Sequence, residues 1–158
     1  MSGLYRKNVG IIVCKKGKVL LCARADQLTY SWQFPQGGID AQEDVIDAAK
    51  RELFEETGIK SVKLIAIMPY SLKYDFPLNN KYHKISGFVG QDQHWVCFEF
   101  TGDDSEIDFK INPQEIEFKD FEWTDINEAP KRIIEFKKEV YLRVAEFFEN
   151  YVKDTANE

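Results

Sequence analysis

Cysteine is scarce in this chain, and what there is forms no pattern. Three cysteines in 158 residues, Cys14, Cys22 and Cys97, include no C-x-x-C pair. Each lies in an apolar run. That excludes a disulfide scaffold and gives no support to a zinc site. They read as small buried hydrophobes of a reducing compartment. Histidine is scarcer still: His83 and His94 are the two present, and both read as surface or hydrogen-bonded side chains rather than ligands. No apolar run approaches the roughly 20 residues of a membrane span. The start, Met1 to Lys7, carries no signal-peptide cleavage pattern, so the expected address is cytoplasmic. Basic excess is also missing. A formal net charge of −6 argues against a grip on long duplex nucleic acid, which needs a basic footprint. It leaves a phosphate-bearing substrate open, because a bound metal inverts local charge. Repeats and linkers are absent, so one domain over residues 1–158 is expected, with its core at about 5–150.

What is present is a chain rich enough in apolar side chains to bury a core: 44% hydrophobic and 14% aromatic. Val9 to Cys14 and Val19 to Ala23 read as strands joined by a turn at Gly17. Ser31 to Phe34 reads as a short extended piece, and the pair Gly37-Gly38 as a break in regular structure. Asp44 to Thr57 reads as a helix stopped by Gly58, with Val45, Ala49 and Leu53 as its inward stripe. Val62 to Ile67, Trp95 to Phe100 and Phe121 to Trp123 read as strands. Residues 69–91 read as a long polar and aromatic segment. Asp125 to Pro130 reads as a helical turn ended by its proline. Ile133, Phe136, Val140, Val144, Phe147 and Tyr151 recur every three or four residues, which predicts a long amphipathic helix. Residues 153–158 read as a frayed, disordered tail. Strands on both sides of a helix, with a second helix at the end, predict an α/β fold with a mixed sheet between helices.

The chemistry concentrates in the first helix. Gly37-Gly38, Glu43 and then Arg51-Glu52-Leu53-Phe54-Glu55-Glu56-Thr57-Gly58-Ile59 give the spacing G-x5-E-x7-R-E-L-x-E-E-x-G-I. Residues three and four apart share a helix face, so Glu52, Glu55 and Glu56 converge. Glu56 falls inside the inward stripe and Glu52 at its edge, where acids are costly unless paired. A divalent cation resolves that conflict, since hard cations take oxygen ligands. A solvated acidic face is the plain alternative for a Glu triplet alone, but the spacing around it argues against that.

This spacing resembles the signature of the Nudix hydrolases, and it is complete here. The runs at 5–10, 31–39, 90–95 and 136–141, with Glu117-Phe118, resemble one subgroup. That subgroup holds the bacterial RNA pyrophosphohydrolases and the similar diadenosine polyphosphate hydrolases. Two departures stand out: Lys7 where the subgroup usually has proline, and His94 where it usually has Lys or Arg, which removes a fixed positive charge.

The resemblance implies an α/β/α sandwich and a Mg2+-dependent pyrophosphohydrolase, with Mn2+ as a substitute. Glu52, Glu55 and Glu56 would hold metal, joined by Glu117 and a carbonyl near Gln36-Gly37. Arg51 would orient the carboxylates, with Glu43 in a supporting part. Glu117 matches the subgroup's general base, while Glu52 or Glu56 stays open for that role. Arg6, Arg24, Tyr74 and Lys137 are the phosphate candidates, and Ile134 and Phe136 resemble a wall for a stacked base. Structural readings stand beside these: a surface cation for Arg6 and Arg24, loop anchoring for Tyr74, core packing for Ile134 and Phe136. Implied partners are 5′-phosphorylated RNA ends, to be converted to 5′-monophosphate as a first step of RNA decay, or dinucleoside polyphosphates split to ATP and AMP. The protein is expected to be a monomer or weak oligomer. A Nudix-shaped binding module without catalysis is the third possibility, disfavoured because every acid is present.

Overall fold

The apolar run at Val9 belongs to a longer strand than its hydrophobic residues announce. The computed structural model describes residues 3–26, 31–78 and 87–157. In it β1 spans Tyr5–Lys15 and runs parallel to β7, Gly90–Phe100, in register from Tyr5 opposite Gly90 to Cys14 opposite Glu99. Both strands are covered on both faces, as a central parallel pair requires. β2, Lys18–Arg24, returns antiparallel beside β1, and β3, Trp32–Gln33, and β8, Phe118–Thr124, both pair with β2. β5, Val62–Ile67, and β6, Leu72–Asp75, both pair antiparallel with β7. The result is a mixed sheet.

Alternation along β1 splits the core in two. Val9, Ile11 and Val13 pack with Leu53, Ala48 and Ala49 of the first helix. Ile12 and Cys14 pack with Val144, Ala145 and Phe148 of the last. The sheet therefore lies between helices, as expected. All three cysteines are free and buried.

The first helix, α1, spans Val45–Thr57. Asp44 caps it by accepting from the Ile46 and Asp47 amides. Gly58 ends it at φ 77°, a left-handed conformation that favours glycine. α2, Ala129–Arg132, is short, and α3, Lys138–Asp154, closes the chain.

Several expectations need correction. Gly37-Gly38 does not break regular structure. It forms β4, Gln36–Gly38, antiparallel to β1, with Asn8 opposite Gly38 and Val9 opposite Gly37. The 69–91 segment contains β6 and the start of β7. Their polar composition hides them, because β6 lies outside the main strand order and alternates buried with exposed. Pro130 sits in the first turn of α2 and starts it rather than ending a turn. Phe136 precedes α3, in a 3-10 turn over Glu135–Lys137. Within α3 the stripe includes Phe148 and Val152, while Tyr151 is exposed. Residues 153–157 are not frayed, and Glu158 lies outside the described residues. A 3-10 turn, Thr155–Asn157, buries Thr155, whose Oγ1 accepts from the Gly17 amide at 2.9 Å.

Candidate active site

Arg51 is the centre of the arrangement. Its Nε and one terminal nitrogen each donate to Glu43 at 2.9 Å, a two-pronged pairing. The same guanidinium donates to the Gly38 carbonyl at 2.9 Å and to Glu52 at 2.8 Å, with Glu55 at 3.5 Å. Glu43 also accepts from the Asp40 amide at 3.0 Å. The Arg51 donors and then the Asp40 amide hold the Glu43 carboxyl down at about 2, while the Glu43 and Glu52 carboxylates push the Arg51 guanidinium further up. Arg51 thus ties the glycine strand to α1, with Glu43 as its two-pronged partner.

The glycines are needed for proximity. A Cβ at Gly37 would stand 2.0 Å from the Glu52 carboxyl carbon, and one at Gly38 would stand 2.3 Å from an Arg6 guanidinium nitrogen. β4 therefore brings Arg6 and Glu52 to its two glycines at side-chain contact distance. Among the substrate candidates, Arg6 is placed at this site.

Glu56 accepts from the Gln36 amide at 3.4 Å. Burial, and then the charges of Glu52 and Glu117, push its carboxyl well above the usual range. Burial also raises Glu52, against the pull of Arg51. Two part-buried carboxylates that repel each other are short of positive charge. Among the described residues no three His, Cys, Asp or Glu side chains form a ready-made metal cage. Arg51 pairs with Glu52 and Glu55, and Glu55 is exposed. The donors nonetheless suit a hard divalent ion, being all-oxygen, anionic and underneutralised.

Glu117 stands just ahead of β8, 3.9 Å from Arg24. Arg24 also contacts Asp26 and, at 3.4 Å, the Gln33 side chain. Lys137 is buried, and desolvation lowers its amine to about 8, opposed by the charges of Glu56 and Glu117. Arg24, Lys137, Glu56 and Glu117 therefore share one electrostatic neighbourhood.

Tyr74 is buried, and its hydroxyl donates to Gln91 at 2.6 Å. Its ring lies 5.8 Å from that of Phe136, and the Lys137 amine stands 5.6 Å from the Tyr74 centroid. Phe136 and Ile134 are partly buried against the α3-side core. The packing expected of them is what the structure displays. His94, on β7, pairs with Val9 of β1, and alternation puts it on the face opposite Gln93. His83 lies outside the described residues.

Sequence reasoning assigned no role to Gln93. It is fully buried, and its amide nitrogen donates to Asn8 at 2.8 Å and to the Gln36 side chain at 2.7 Å. It fastens the residue whose backbone amide meets Glu56. The available signal was the continuous polar run Gln91-Asp92-Gln93-His94 at the start of a strand that then turns apolar.

Known proteins resemble this chain in sequence and in fold. A family profile described as NUDIX domain matches residues 4–144. The RNA pyrophosphohydrolase of Bartonella henselae is 42% identical, over 94% of this chain and 92% of its own length. That of Caulobacter vibrioides is 40% identical over 94% and 88%. Among solved structures, the E. coli dihydroneopterin triphosphate pyrophosphohydrolase superposes with a TM-score of 0.71 at 18% identity, covering 93% of this chain and 99% of that one. A C. elegans Ap4A hydrolase gives 0.59 at 15%, covering 90% and 98%. These two likenesses are of fold. With its signature assembled on α1 and β4 and matched from residue 4 to 144, the chain belongs to the NUDIX family.

Proposed function

We propose that the protein is a Mg2+-dependent RNA pyrophosphohydrolase that converts 5′-triphosphate or diphosphate RNA ends to 5′-monophosphates. The observation that carries the reading is the placement of Glu52 and Glu56 against β4, Glu52 at Gly37 and Glu56 at the Gln36 amide, with Arg6 at Gly38 and Arg24 beside Glu117. The RNA pyrophosphohydrolases of similar sequence support the substrate class.

Phosphoanhydride cleavage asks a protein for positioning and charge neutralisation rather than covalent chemistry. Glu52 and Glu56, with Glu55, Glu117 and the Gln36 carbonyl as further donors, would hold the ion. Bound there, Mg2+ supplies Lewis acidity and lowers the pKa of a water. Arg51 keeps Glu52 oriented through their 2.8 Å hydrogen bond. Glu117 takes the proton of the attacking water, and Arg6, Arg24 and Lys137 neutralise phosphate oxygens. A wall of Ile134 and Phe136 stacks a base, an interaction tolerant of sequence. Such an enzyme works in the cytoplasm. No helix among the described residues is long and apolar enough to cross a membrane.

Release of pyrophosphate or phosphate from triphosphorylated RNA in Mg2+ tests this. Glu56→Gln should cut turnover by about 100-fold or more while the fold persists. Near-normal turnover in that variant would remove the metal assignment. A dinucleoside polyphosphate offers the same anhydride to the same residues and is the second reading.

A further inference from the structure

Arg132 lies over the indole of Trp32, its Cζ 4.4 Å from the ring centroid. Trp32 is partly buried against the α3-side core. Glu122 accepts a hydrogen bond from Arg132 and fixes the guanidinium there, while 26% of the Arg132 side chain stays exposed. We propose that the Trp32–Arg132 stack seats the second nucleobase of a dinucleoside polyphosphate whose phosphates lie at the acidic site. The proposal rests on the second reading, with a dinucleoside polyphosphate as substrate, and places its other nucleoside.

Position is the first argument. Both chain neighbours of Trp32 are tied to Arg24, a phosphate candidate. The Arg24 amide donates to the Ser31 carbonyl at 3.3 Å, and its guanidinium donates to the Gln33 side chain at 3.4 Å. Adjacent Cα atoms are about 3.8 Å apart, so the indole starts one residue from groups bonded to Arg24. Trp32 stands on β3, which pairs with β2. Tyr74, beside Phe136, stands on β6, which pairs with β7. β1 pairs with both β2 and β7. The two rings nonetheless pack on the same side of the sheet, the α3 side. Arg24, near Trp32, and Lys137, next to Phe136, share the electrostatic neighbourhood of Glu56 and Glu117. A polyphosphate held there has a stacking surface on either hand, and a dinucleoside polyphosphate offers a base at each end.

The chemistry of the stack is the second. Nucleobases stack on indole rings and on guanidinium planes, with tolerance for which base it is. The Glu122 carboxylate offsets the Arg132 charge, which suits an uncharged base better than another phosphate.

The test compares diadenosine tetraphosphate with adenosine 5′-tetraphosphate, which has the same four phosphates and one base fewer. In the wild type, kcat/KM should favour the dinucleotide by about tenfold. Arg132→Ala and Arg132→Lys should both lose that preference, since lysine keeps the charge but not the plane. Turnover of adenosine tetraphosphate should be unchanged in both, and a melting curve checks each fold. Absence of a wild-type preference overturns the proposal, as does a preference that survives in either variant. So does equal loss on both ligands, which would make Arg132 a contact of the phosphates or of the fold. If the wild type cleaves neither ligand, the parent reading fails, and calorimetric titration with the same pair decides the seat alone. Binding of the dinucleotide about tenfold tighter, with the difference lost in Arg132→Ala, supports it, and equal binding overturns it.

Discussion

Gly37 leaves no room for a side chain against Glu52: a Cβ there would stand 2.0 Å from the carboxyl carbon. The clash cannot be relieved freely, because Arg51 holds the same carboxyl at 2.8 Å. Gly37→Ala should therefore displace the Glu52 carboxylate, a proposed metal donor, without opening the core. The expected result is a loss of kcat/KM of about 100-fold, the scale of a 1 Å misplacement, with little change in melting temperature. A thermal melt beside a Mg2+-dependent rate assay checks both halves.

Removing Arg51 has the opposite balance. Arg51→Ala strips donors from Glu43, Glu52 and the Gly38 carbonyl at once. A loss of about 1–3 kcal/mol of stability is expected, the range for charged hydrogen bonds. Glu43 supplies a pH signature. Its folded carboxyl sits at about 2, below the ordinary 4.5. Its stabilisation is present above 4.5 and lost as pH falls through about 2. Denaturant unfolding between these values should show that loss in the wild type and less of it in Arg51→Ala.

Lys137 predicts a divergence between activity and stability. Burial lowers its amine from 10.5 to about 8. Between those values the unfolded chain binds more protons than the folded one, so Lys137's effect on stability improves as pH rises. Its positive charge is lost over the same interval. RNA turnover should fall above about pH 8 while the Lys137 penalty on stability is relieved. Lys137→Arg should move the activity limb upward, since arginine stays charged.

Gln93 should prove structural to the site. Gln93→Met keeps the volume but leaves the Asn8 and Gln36 side-chain oxygens without their shared donor. A destabilisation of about 1–3 kcal/mol is expected. A higher Mg2+ requirement should accompany it, read from rates at varied Mg2+. An unchanged requirement would separate Gln93 from the metal site.

Local patterns made much of this legible. The spacing of Glu52, Glu55 and Glu56 follows helix geometry, and the Asp44 and Gly58 ends of α1 follow capping chemistry, so both were readable from residues alone. β4 was not. Two glycines suggest a break, and only the pairing with Asn8 and Val9 shows that they form a strand where Glu52 and Arg6 come close. β6 was hidden because its partner, β7, is polar over the same stretch. The 3-10 turn Thr155–Asn157 was hidden because its anchor, Gly17, is far away in sequence. What sequence patterns missed in each case was a long-range partner. The same holds for Arg51: its helix position was legible, but its bond to the Gly38 carbonyl was not.

The central claim is that the acidic site serves RNA 5′ ends. It is tested most directly by a competition in Mg2+ between a triphosphorylated RNA and diadenosine tetraphosphate, comparing kcat/KM. The account predicts faster loss of pyrophosphate or phosphate from the RNA. Preferential cleavage of the dinucleotide would contradict it.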